Sequence, residues 1–195
     1  MEIQVTEMTD TFVYGRLGIS ETNKIYAAAQ KTLEEEETQQ GEVGNDGDVD
    51  SVDRQSTIAW MNKGKKVKKM VDDFVEEINN LRFQEDISGG SEPFQITCYA
   101  DENDHYDWHQ DYYMEEEERE SFVRTLSLSI CLSRPEDYKG AEFMIKDGCE
   151  QNVRMFKMQY GDFIIFPSEN EHKVNALRDG SRLSVVVWYG HEEIE

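Results

Sequence analysis

Residues 161–189 read GDFIIFPSENEHKVNALRDGSRLSVVVWY. Two apolar runs, DFIIFP and RLSVVVWY, flank a shorter HKVNAL, and Gly, Asp, Asn and Pro punctuate them. Short runs rich in Val, Ile and aromatics, bounded by turn residues, read as β-strands. The same texture extends back to Pro93 through FQITCY, VRTLSLSICLS, AEFMI and VRMFKM. Several of these alternate apolar and polar residues. Seven such strands at close spacing predict a sandwich or barrel rather than a parallel α/β sheet. The order of strands within it is not legible at this level.

Upstream of Pro93 the texture is different, and no internal repeat is visible. Ser20 is placed to cap a helix through NKIYAAAQKTLEEEE, whose Ala and Glu favour that conformation. From residue 34 to 53 there are nine acidic side chains, three Gly and no Lys or Arg. The second half of that stretch reads as a surface loop. A second helix is expected from about Lys65, because Val67, Met70, Val71, Phe74, Ile78 and Leu81 recur on one face. The lysines at 63, 65, 66, 68 and 69 could bind phosphate, but Asp72, Asp73, Glu76 and Glu77 follow at once and favour a solvated first turn. The expectation is a mainly β chain with N-terminal helices. Residues 1–92 form the helical support region with its acidic loop (34–53), and 93–195 form the jelly-roll, as one integrated domain.

The chain has 195 residues and 22.7 kDa, one domain's worth of sequence, and 37% hydrophobic residues supply a sizeable core. Its formal charge of −22, from 42 acidic against 20 basic side chains, disfavours nucleic acid and anionic membrane as partners. No run of apolar residues is long enough to span a bilayer. MEIQVTEMTD lacks the charge and apolar stretch of a signal peptide. Cys98, Cys131 and Cys149 are odd in number, scattered, and read as small buried apolar groups. A cytoplasmic setting is expected.

Chemistry concentrates in YDWHQDYY, where His109 and Asp111 stand two residues apart. In a strand such residues share a face about 7 Å apart at Cα. His172 follows GDFIIFPSENE. Two His and one carboxylate on one side of a metal, with positions left open, is the arrangement of non-haem Fe(II) oxygenases. An HxD pair alone is a weak signal. Arg182, ten residues beyond His172, opens a strongly apolar strand and could be aimed into a barrel to hold a carboxylate. Ser184 faces the same side.

These residues make the chain resemble the 2-oxoglutarate and Fe(II)-dependent oxygenases, in their prolyl-4-hydroxylase-like branch. The resemblance runs from about Phe94 to Tyr189 and rests on four elements in order. They are Tyr99; Tyr106 with His109 and Asp111; GDFIIFPS before His172; and Arg182. The stretch RTLSLSICLSRPEDYKGAEFMI matches a further family segment, and VDRQSTIAW does so more loosely. Two departures are Ala141, where a second Gly is usual, and Cys131, where some relatives offer a Tyr to the cosubstrate.

The resemblance implies a double-stranded β-helix (cupin-like) over 93–195 that carries the catalytic site. His109, Asp111 and His172 would ligate Fe(II). Arg182, with Tyr99 and Ser184, would bind 2-oxoglutarate, and O₂ would be the second cosubstrate. The implied reaction hydroxylates a C–H bond, prolyl or on another amino-acid residue, and releases succinate and CO₂. The alternatives are a hydroxylase of a small molecule or nucleobase, and a non-catalytic jelly-roll that binds metal and 2-oxoglutarate. Asp111 argues against a halogenase, and Trp188 stands where nucleic-acid demethylases carry a second Arg. Tyr106, Trp188 and Arg124 read as substrate-lining or, equally, as packing residues. The acidic segment 114–121 is either a lid or a solvated charge run. His105 and His191 read as surface residues, and Trp108 as packing. The expected partner is a peptide, protein or small molecule, with no nucleic acid and no membrane. Stand-alone oxygenases of this kind occur in bacteria and phages.

Overall fold

The structure, a computed structural model, describes residues 1–41, 53–62, 64–112, 122–148 and 152–192. Most of the acidic stretch at 34–53, Lys63, Cys149 and the acidic segment 114–121 lie outside the described residues.

Strand Asp162–Pro167 shows why its sequence is an unbroken apolar run. Phe163 and Ile165 join one core cluster, Ile164 and Phe166 the other, so both faces are covered. The same division holds along Arg182–Glu192. Leu183, Val185, Val187 and Tyr189 enter the first cluster, while Arg182, Ser184, Val186 and Trp188 face a cavity on the other side.

The strands form two main antiparallel sheets. In the larger, the neighbours run Ile3–Met8, Val13–Leu17, Asp162–Pro167, Phe122–Cys131, Arg182–Glu192, Phe94–Tyr99, Thr57–Met61 and Gln39–Gln40, with Gly90–Ser91 pairing beside Arg182–Glu192. The smaller holds Val153–Phe156, Phe143–Lys146, His172–Val174, His105–His109 and Arg54–Gln55. From Phe94 onward the chain keeps crossing between them, with Phe143–Lys146 and Val153–Phe156 as one hairpin in the smaller sheet. That alternation is the winding of a double-stranded β-helix. Its interior cluster includes Phe12, Tyr99, Phe143, Ile145, Ile164 and Phe166. All seven strands expected after Pro93 are present.

Helices α1 (Ile19–Glu35) and α2 (Lys65–Leu81) cover the outer face of the larger sheet. Phe74 of α2 meets Phe163 edge-on, with ring centroids 4.7 Å apart. Burying each such side chain contributes roughly 2 kcal/mol. Three expectations need correction here. Ser20 does not cap α1; Gly18 is the N-cap, two residues before the Ser, and no side chain caps the helix. Leu81 does not join the buried face of α2; it ends the helix 66% exposed, and Val75 is buried instead. The N-terminal third is not simply helical. Ile3–Met8 and Val13–Leu17 extend the larger sheet, and Thr57–Met61 pairs with Phe94–Tyr99. Strand Ile3–Met8 has exposed outer positions and little apolar contrast, and sheet pairing rather than its own pattern holds it. The join is pinned by buried Asp162, which accepts bonds from Tyr14 Oη (2.6 Å) and Arg16 Nε (2.5 Å). Among the described residues no helix is long and apolar enough to cross a membrane.

Candidate active site

His109 ends strand His105–His109, and His172 begins the neighbouring His172–Val174 in direct register with it. Asp111 was expected on the same strand as His109. It lies just past the strand end, in a bend. It still reaches the histidines: Oδ1 is 3.7 Å from His109 Nε2, and Oδ2 is 3.5 Å from His172 Nε2. One ligand atom from each of the three residues lies within 4.8 Å of the others.

Backbone carbonyls fix the imidazoles. His109 Nδ1 lies 2.7 Å from Asp107 O and His172 Nδ1 lies 3.0 Å from Asn170 O, so in each ring Nδ1–H donates and Nε2 keeps its lone pair for the centre. Burial, with His172 alongside, pushes His109 down to about 3. Burial opposes charge on Asp111, but His172, His109, the Ser127 hydroxyl and Arg124 outweigh it and hold its carboxyl below the usual range. A neutral imidazole beside a carboxylate is the protonation state that a divalent cation requires of its ligands. The donor set, two Nε2 atoms and one carboxylate facing a cavity, fits Fe(II) with open positions.

Arg182 stands across the larger sheet's register from Tyr99 and is 1% exposed. Its Nη1 donates to Ser184 Oγ at 3.3 Å, its Nη2 approaches Met158 Sδ at 3.8 Å, and its Nε has no partner. Among the described residues no carboxylate pairs with it. A buried guanidinium so poorly compensated is costly unless an anion completes it. Its carbon lies 5.7 Å from the Tyr99 ring centroid, and burial pushes the Tyr99 phenol up, keeping it a donor. Arg182, Ser184 and Tyr99 line one cavity together with the His–Asp–His group. Such a cavity suits a short dicarboxylate, one end at the metal position and the other at Arg182.

The remaining expected residues divide. Tyr106 lines the cavity and stacks on His109, with ring centroids 3.4 Å apart and an interplanar angle of 12°. Trp188 also lines it, with a buried Nε1–H that has no partner. Arg124 is not part of the lining. It bonds Glu92 Oε2 through Nε at 2.7 Å and lies 4.1 Å from the Trp188 ring centroid, where it backs the tryptophan. Trp108 packs outside, with the Lys146 and Lys173 amines 5.4 and 5.5 Å from its ring. Sequence reasoning missed Arg54, Gln95 and Thr97 as cavity residues. Gln95 and Thr97 alternate with Tyr99 along one strand, a period-2 signal that could have found them. Arg54 enters from a distant segment, and no local spacing announces it.

Residues 94–190, about half the chain, match the family model of the 2OG-Fe(II) oxygenase superfamily. A PKHD-type hydroxylase of Psychrobacter sp. (strain PRwf-1) is 40% identical over 63 residues, 32% of this chain and 24% of the relative. One from Pseudomonas putida (strain KT2440) is 34% identical over 98 residues, 49% of this chain and 42% of the relative. The aligned part thus spans a quarter to two fifths of these relatives' length. In three dimensions the chain is similar to a Trichoplax adhaerens prolyl hydroxylase solved with a hypoxia inducible factor peptide fragment, with TM-score 0.75, 17% identity, and 93% of this chain and 84% of that one covered. A Pseudomonas putida prolyl-4-hydroxylase gives TM-score 0.67 at 18% identity, with 93% of each chain covered. These likenesses show the shared double-stranded β-helix, and the match over 94–190 shows the lineage: the chain belongs to the 2OG-Fe(II) oxygenase superfamily.

Proposed function

We propose that the chain is an Fe(II)- and 2-oxoglutarate-dependent dioxygenase that hydroxylates a C–H bond of an amino-acid residue in a peptide or protein, proline foremost. The observation that carries this reading is one cavity with a His–Asp–His centre at one side and a buried, uncompensated arginine at the other. His109, Asp111 and His172 would hold Fe(II). Arg182 would take the far carboxylate of 2-oxoglutarate in charge-assisted hydrogen bonds, with Ser184 and Tyr99 completing that end. Bound iron and 2-oxoglutarate supply the oxidative chemistry, with O₂ consumed and succinate and CO₂ released.

The protein's share is orientation and exclusion of water. The Nδ1–H bonds aim both imidazoles, and the aromatic walls, Tyr106, Phe143, Phe166 and Trp188, keep the cavity largely apolar around them. On the cavity wall, the buried Trp188 Nε1–H has no partner among the described residues and would donate to a carbonyl of a substrate backbone that enters, which favours a peptide over an apolar small molecule. The structural neighbour solved with a peptide fragment supports a peptidyl substrate. The acid excess suits a basic target sequence better than nucleic acid. A reducing cytoplasm suits Cys98 and Cys131, which are unbridged.

The test is anaerobic reconstitution with Fe(II) and 2-oxoglutarate, then addition of O₂ with a library of proline-containing peptides. Succinate and a peptide gain of one oxygen atom are expected together. Succinate that no peptide increases would shift the substrate to small molecules or nucleobases. Bound metal and 2-oxoglutarate with no succinate would leave a binding module.

A further inference from the structure

Asp111 sits outside any strand, so no sheet ladder fixes its side chain. Two serines do. Ser127 and Ser168 are both 0% exposed and come from different segments of the larger sheet's interior side. Ser127 Oγ lies 2.7 Å from Asp111 Oδ2 and 2.9 Å from Ser168 Oγ. A carboxylate only accepts, so the Ser127 hydrogen is committed to Asp111, and Ser168 must then donate to Ser127. The relay has one direction. Ser168 grips the same residue a second time: its carbonyl accepts from the backbone N–H of Asp111 (2.9 Å) and of Tyr112 (3.1 Å). Its own N–H is anchored on Thr125 O at 3.0 Å. Main chain and side chain of Asp111 are therefore held by one corner, just after Pro167.

We propose that Ser127 and Ser168 are positioning residues that keep Asp111 a one-oxygen ligand. With one lone pair of Oδ2 already accepting from Ser127, Oδ1 is the better donor to a cation, and binding through one oxygen leaves free the positions a two-oxygen carboxylate would cover. The inference rests on His109, Asp111 and His172 being metal ligands. A packing role alone would not require hydroxyls at two buried sites aligned toward the same carboxylate.

The test uses the metal-free full chain titrated anaerobically with Co(II), reading the dissociation constant and the Co(II) absorption spectrum. Ser127→Ala is expected to weaken Co(II) binding by roughly tenfold or more and to change the spectrum as the freed oxygen joins the coordination sphere. Ser127→Thr, which keeps the hydroxyl, should restore both. Ser168→Ala should move both readouts in the same direction by less, and it carries the test if Ser127→Ala does not fold. Alanine variants that bind Co(II) with wild-type affinity and spectrum, even with a lowered melting temperature, would overturn the proposal. His172→Ala separates the two levels: if it leaves Co(II) binding unchanged, the ligand assignment falls and this proposal with it. Absence of hydroxylation on every peptide leaves the Co(II) test standing.

Discussion

Replacing Arg182 by Met should make the protein more stable and blind to its cosubstrate. The guanidinium is 1% exposed and its partners are all uncharged: a serine oxygen at 3.3 Å, a thioether at 3.8 Å and the Tyr138 phenol, with no partner for Nε among the described residues. Without a bound anion that charge is desolvated and poorly repaid. Apolar replacement of buried ionic groups is often stabilising by about 1–4 kcal/mol. The lower half of that range is expected, since methionine leaves some volume unfilled, and about 1–2 kcal/mol corresponds to roughly 2–8 °C in a chain of this size. The loss on the binding side is larger. Two charge-assisted hydrogen bonds to a carboxylate, at about 1.5–3 kcal/mol each, amount to roughly 3–6 kcal/mol, or about 10²- to 10⁴-fold in Kd. Thermal unfolding with and without 2-oxoglutarate reads both effects, because a ligand that binds only the folded state raises its stability by RT ln(1 + [L]/Kd). The wild type should melt higher with 2-oxoglutarate; Arg182→Met should melt higher without it and show no further rise. A variant that melts several degrees lower yet keeps the wild-type response to 2-oxoglutarate would refute the reasoning. Arg182 would then be a structural residue.

Other perturbations address the remaining parts. Asp111→Ala should abolish tight metal uptake and lower succinate formation by at least about 100-fold, because it removes the one anionic donor of the set; unchanged turnover would count against the ligand assignment. Trp188→Phe keeps the ring beside Arg124 and Trp60 but removes the unpartnered indole N–H. The expected result is a peptide KM raised by about tenfold, one hydrogen bond's worth, with the 2-oxoglutarate KM unmoved. A shift in both constants would place the tryptophan in the cosubstrate end. Asp162→Ala strips the acceptor from Tyr14, Arg16 and the Gln159 N–H, and urea unfolding should show a loss of about 2–3 kcal/mol. Arg16 is half exposed and rehydrates, which keeps the loss below that of a fully buried pair.

Much of this architecture is legible in the sequence because strands covered on both faces cannot hide their composition. DFIIFP, LSLSIC and LSVVVW report strand position through β-branched and aromatic content alone. The three candidate ligands and Arg182 are legible for a different reason: they stand at strand ends, His109 closing one strand with Asp111 just beyond it, and His172 and Arg182 each opening another, so their spacing carries spatial meaning. Elements whose stability comes from partners are the ones that stay hidden. Ile3–Met8 lies at the sheet edge, half exposed, and its residues show little contrast until Val13–Leu17 is laid beside them. Asp111 was placed on a strand because the HxD spacing fits one, yet its position is decided by Ser168, far along the chain. The same is true of Arg54, which reaches the cavity from the support region and donates to Gln95 Oε1 at 2.9 Å. Arg124 was legible as a cation near the mouth but not as the residue behind Trp188, because Glu92, which holds it, belongs to another segment. Ala141 holds φ at +49°, the left-handed region that glycine enters freely, so the second glycine that the resemblance implies at this position would suit the turn.

The most direct test of a single site shared by metal and cosubstrate is an anaerobic titration of the Fe(II)-loaded protein with 2-oxoglutarate, followed by visible absorption. If His109, Asp111 and His172 hold the iron and Arg182 anchors the keto acid, a charge-transfer band should grow in and saturate. It should be absent in His172→Ala and require about 10²-fold or more 2-oxoglutarate in Arg182→Met. Saturable 2-oxoglutarate binding with no such band, or a band of equal midpoint in Arg182→Met, would mean that the two halves of the cavity do not form one site.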